Sequence, residues 1–205
     1  MWGYYFVTLF ALATMLSSTW GQEYPEGTQD GPCPDIGFRG RGRTFNFQGI
    51  WGTWHEQLRM NNSFQPNQCP TTNTFSGSPP DVLNVLTVTN PDGSTYELPR
   101  EGVIADVPHQ RLFTNPTPTP GFPDPSGILF ETIYTDYRNL HVSWICSSLE
   151  GNKHIPYVWI ESRTERVPKF RLRKTLRMLA RKGIDVSRFW KIGSRFCTRN
   201  EKFQG

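Results

Sequence analysis

The four cysteines, Cys33, Cys69, Cys146 and Cys197, are the residues best equipped for covalent chemistry, yet their spacing favours crosslinks. An even count reads as two disulfides if the chain is exported. No two of them lie at the short spacing that zinc sites use, so no metal is expected. Four cysteines allow three pairings, and spacing alone does not choose among them. A closed loop of roughly 100 residues contributes about 4–5 kcal/mol in the chain-entropy model. The four histidines, His55, His109, His141 and His154, are scattered, with neither metal-ligand spacing nor a Ser/His/Asp order. No enzyme is expected. Asn61-Asn62-Ser63 is a glycosylation sequon, with Asn61 as acceptor.

Charge is distributed unevenly. The net charge is +4, from 22 basic and 18 acidic residues. Eight basic residues and no acidic one fall in residues 166–182, so the rest of the chain is mildly acidic. That excludes a uniformly basic nucleic-acid binder and leaves one local patch as a handle for an anionic surface. Arg39-Gly-Arg-Gly-Arg43 is a single short tract and reads as a lead-in to the first strand.

These residues need a scaffold, and the chain's patterning indicates its kind. Residues 1–21 lack charge and hold the apolar run Tyr5–Leu16 before Ser17-Ser-Thr-Trp-Gly21. This reads as a secretory signal peptide, too short for a membrane span. An N-terminal arm, 22–44, follows. Strands are expected over 50–59, 82–89, 95–98, 102–107, 128–135, 140–146 and 155–162, with a last one near 192–199. Residues 115–127 hold five prolines in thirteen positions and form a loop. One helix is expected from about Val167 to Lys182, with Pro168 in its first turn and Gly183 as its cap. Leu172, Leu176 and Leu179 form its apolar stripe. Many short strands and one late helix define an all-β barrel or sandwich with an attached helix.

Three segments resemble the lipocalin family, in the branch of insect bilin-binding proteins and apolipoprotein D. They are Gly52-Thr-Trp-His-Glu56, Thr135-Asp-Tyr137 with Cys146 nine residues on, and Tyr157-Val-Trp-Ile-Glu-Ser-Arg163. The helix, Gly183-Ile-Asp185 and a late Cys197 follow in the family's order. The resemblance covers roughly residues 33–199, and the proline-rich loop departs from the family's regular hairpin.

The resemblance implies an eight-stranded antiparallel up-and-down barrel over residues 45–199, with the helix packed outside and a tail at 200–205. A barrel of that size holds about one small ligand. The resemblance implies the pairings Cys33–Cys146 and Cys69–Cys197, and a closed-end contact of Arg163 across Trp54. It also implies a secreted carrier of a small hydrophobic molecule, such as a pigment, retinoid, sterol or fatty acid. By strand alternation from Arg163, Tyr157 and Trp159 would share the inner face. Val142 and Trp144 share the parity of Cys146, a face that the resemblance turns inward to line the pocket. Glu131 would meet a polar ligand end or the rim. The alternative is an extracellular interaction protein with a filled barrel. It would engage an acidic partner or membrane surface through the 167–182 helix and the open-end loops.

Overall fold

The structure is a computed structural model that describes residues 24–37, 39–40, 45–62, 65, 67–106, 111–114 and 128–197. The signal-peptide segment, the proline-rich loop and the tail lie outside the described residues. Two short N-terminal strands, β1 (Gln29–Asp30) and β2 (Arg39–Gly40), come first. Eight longer strands follow: β3 (Gly52–Met60), β4 (Thr71–Ser76), β5 (Asp81–Thr89), β6 (Thr95–Asp106), β7 (Arg111–Thr114), β8 (Ile128–Thr135), β9 (Leu140–Leu149) and β10 (Lys153–Ser162). Then come helix α1 (Lys169–Ala180) and strand β11 (Phe189–Lys191).

Each strand from β3 to β10 pairs antiparallel with the next, and β10 also pairs back onto β3. That last pairing closes the ring into an eight-stranded up-and-down barrel, and closure removes the exposed sheet edges. Its seam sets Trp159 opposite Arg59, Ile160 opposite Leu58 and Glu161 opposite Glu56, with a bulge at Gln57. The arm is stitched on from outside, β1 along β10 and β2 parallel to β8.

Two strands escape a reading of apolar alternation. β4, Thr-Thr-Asn-Thr-Phe-Ser, carries a single apolar residue, and β7 is short. The final strand falls at 189–191 rather than 192–199. Beyond it Gly193 adopts φ 144° and a 3-10 turn follows, because the chain must bend toward the Cys69 segment, where the Gly193 N–H reaches the Gln68 carbonyl.

Helix α1 buries the expected stripe. Leu172, Leu176 and Leu179 pack with Leu58, Met60, Val142, Trp144, Val158 and Ile160 on the outer wall of the barrel. Gly183, at φ 83°, lets the chain turn so that the Ile184 N–H donates to the Leu179 carbonyl at 3.2 Å. Leu179 is wholly buried. Leu179→Ala should cost about 2–5 kcal/mol in denaturant unfolding, because the cavity cannot collapse between a helix and a closed sheet.

Candidate functional site

The barrel has a plugged end. Phe45, Phe47, Ile50, Trp54, Phe75 and Val82 form a buried cluster there. Trp54 is the first inward residue of β3, and its Nε1 donates to the Ile50 carbonyl at 2.7 Å. The Arg163 guanidinium lies 3.7 Å from the Trp54 ring centroid. It donates to the carbonyls of Gly49 at 3.0 Å and Thr53 at 3.3 Å. Gly52 sits at φ 94°, and a Cβ there would approach the guanidinium to 3.2 Å. The Thr135-Asp136-Tyr137 segment is the tight turn that supports this end. Asp136 Oδ1 accepts the N–H groups of Arg138, Asn139 and Leu140, and the Tyr137 hydroxyl accepts the Asn46 N–H at 3.0 Å. Among the residues of the Gly52–Glu56 motif, then, Trp54 is packed into the plug beneath Arg163.

Above the plug the interior is polar. Glu56 and Arg59 form an ion pair at 2.7 Å with both side chains buried. Gln65 reaches in from the loop after β3. Its Nε2 donates to Glu56 Oε1 at 3.0 Å, and its Oε1 accepts from Trp159 Nε1 at 2.9 Å. Glu161, opposite Glu56 across the seam, accepts from His141 Nδ1 at 2.8 Å and from Asn73 Nδ2. His141 Nε2 meets the Thr132 hydroxyl at 3.0 Å. Burial drives the Glu56 carboxyl above its ordinary range; the Arg59 charge opposes that rise and the Glu161 charge adds to it.

Between these groups lies a cavity of about 20 Å³, room for about one water. Glu56, Gln65, Asn73, Arg100 and Ser143 form its polar wall, and Phe75, Leu86, Phe130 and Trp159 its apolar one. Tyr157 and Trp159 face the interior, clustered with Ile145 and Ile155 and against Phe130.

Val142, Trp144 and Glu131 do not join them. Trp144 pairs with Val158, and Val142 with Ile160; all four pack against α1 outside the barrel. The inward partners of Tyr157, Trp159 and Glu161 are Ile145, Ser143 and His141. Cys146 shares the outer parity because its partner, Cys33, belongs to the arm that runs outside. Glu131 sits opposite Trp144 and so alternates away from Phe130 and Thr132. The expectation that these three residues line the pocket is therefore corrected by one step of strand parity. Glu56, Arg59, Gln65, Asn73, Asn84, Arg100 and His141 were missing from the sequence-based set. Their signal was faint, since polar residues at inward positions erase the alternation that marks a strand.

Cys33 bonds to Cys146 and Cys69 to Cys197. Asn61 is half-buried, with its N–H on the Arg188 carbonyl, and Ser63 of its sequon lies outside the described residues. Among the described residues no group of three His, Cys, Asp or Glu side chains is placed to hold a metal ion. Among them, too, no helix is long and apolar enough to cross a membrane.

The closed eight-stranded ring, the plugged end and the outer helix together define the lipocalin fold. Solved structures agree with it. Insecticyanin from the tobacco hornworm Manduca sexta matches with a TM-score of 0.67 at 16% identity, over 83% of this chain and 91% of that one. Apocrustacyanin C2 matches with a TM-score of 0.66 at 18% identity, over 83% and 93%. Lobster apocrustacyanin A1 matches with a TM-score of 0.63 at 16% identity, over the same shares. No family model matches the sequence, and no curated protein matches it.

Two expected outcomes follow from this geometry. Arg163→Ala should lower stability by about 2 kcal/mol in denaturant unfolding, through the lost ring contact and two carbonyl bonds. Arg163→Lys should recover less than half, since an ammonium cannot both stack and fork. The second concerns Glu56, whose proton the folded chain holds more tightly than the unfolded chain. Its contribution to stability is therefore full below the ordinary carboxyl range and is lost as pH rises through the elevated folded value. Relative to Glu56→Gln, the wild type should lose up to about 1.4 kcal/mol per pH unit across that window. Urea unfolding of both proteins from about pH 4 to pH 8 reads this difference. A constant gap between them would show that Glu56 titrates normally.

Proposed function

We infer that the chain is a secreted, non-catalytic carrier that takes a small hydrophobic molecule into its barrel. The observation that carries this reading is the closed eight-stranded ring with one plugged end and an aromatic-walled cavity behind it. Tyr157 and Trp159, with Phe130 beside them, are the proposed ligand contacts. The apolar lead segment and two disulfides support secretion. The resemblance to bilin-binding proteins supports a pigment-sized guest. Such a guest needs a few hundred Å³. The cavity beside Gln65 offers about 20 Å³ among the described residues, and withdrawal of Gln65 from Trp159 and Glu56 would enlarge it.

The basic, exposed face of α1 favours a second reading, a barrel that acts through its surface. Lys169, Arg173, Lys174, Arg177 and Arg181 are exposed on and just beyond α1, and Phe170 among them is 65% exposed. That face would take an anionic surface or an acidic partner. Asn61 would carry the glycan in either reading.

One experiment separates the two readings. Biliverdin, retinol, cholesterol and palmitate should each be titrated while tryptophan emission is followed. Saturable one-to-one quenching by at least one of them, lost in Trp159→Phe, is the result expected for a carrier. Silence across the whole panel, with salt-sensitive retention on heparin, would select the surface reading.

A further inference from the structure

Arg100 is the unexplained charge of the interior. It sits on β6 opposite Asn84 of β5, on the inner face, and is 5% exposed. Arg59 and His154 also leave one guanidinium or ring nitrogen unpartnered, but Arg59 is ion-paired with Glu56 and Glu161 with His141, whereas no ion pair to Arg100 is found among the described residues. Arg100 lies 5.9 Å from the Phe130 ring centroid and feels the Glu56 charge, yet its Nε has no hydrogen-bond partner among the described residues. A buried guanidinium donor left unmade is costly. The side chain also forms part of the cavity wall, so the missing acceptor has a place to sit.

We propose that Arg100 is an anion site inside the barrel, which takes the carboxylate end of an otherwise apolar ligand. This rests on the carrier reading and names the ligand class within it. A carboxylate matches the planar fork of a guanidinium, two oxygens against two N–H groups. Its apolar tail would run along Phe130 and Trp159, on the apolar wall of the same cavity. No hydrogen bond joins Glu56 to Arg100 among the described residues; the Glu56 oxygens accept from Arg59 and Gln65.

Isothermal titration of the full disulfide-bonded protein with decanoate, decanol and methyl decanoate tests this. Decanoate should bind about tenfold or more tighter than decanol. Arg100→Gln should bring decanoate down to the decanol level and leave decanol unchanged, and Arg100→Lys should keep part of the preference. Equal binding of the three probes would overturn the anion site and leave the carrier reading standing. So would a preference that survives in Arg100→Gln. Failure of all three probes, together with silence of the fluorescence panel, would overturn both. If Arg100→Gln does not fold, the decanoate-to-decanol ratio in the natural protein and its change in Arg100→Lys decide.

Discussion

The seam between β3 and β10 sets the terms for everything else inside the barrel. Closing the ring there places Glu56 and Glu161, two buried carboxylates, directly opposite one another. Like charges in that position repel, and each loses its water. The interior is arranged to answer this. Arg59 and Gln65 hold one carboxylate, and His141 and Asn73 hold the other. Gln65 is drawn in from a loop to do so, which narrows the cavity and brings Trp159 into the network.

The plugged end solves a simpler problem with similar tools. Trp54 gives its indole N–H to Ile50, while Arg163 lies across its face and ties down two loop carbonyls. Gly49 and Gly52 leave room for this, since a Cβ on either would crowd Tyr137 or Arg163. The short motifs around Trp54, Tyr137 and Arg163 therefore describe one structural device assembled from three separate parts of the chain. They report the fold.

That division explains what could be read in the sequence. The helix, the crosslinked cysteines and most strands announce themselves through leucine spacing, turn residues and β-branched runs. β4 stays hidden because its inward positions are Thr71, Asn73 and Phe75, so the usual contrast between faces is missing. The inner face of β9 is misread when Cys146 is taken as its marker, because a cysteine that tethers an external arm marks the outer face. The interior network is illegible for a deeper reason. A charged residue such as Glu56 or Arg100 looks solvent-facing until pairing brings its neighbours from other strands.

The two crosslinks have a topological consequence. Each joins a residue that precedes the proline-rich segment to one that follows it, Cys33 to Cys146 and Cys69 to Cys197. A protease that cuts within 115–127 would part the chain in two, yet the halves would stay doubly stapled and the strand ladder would keep its neighbours. Nicking at that place would leave the two halves covalently joined until a reductant cut both bridges.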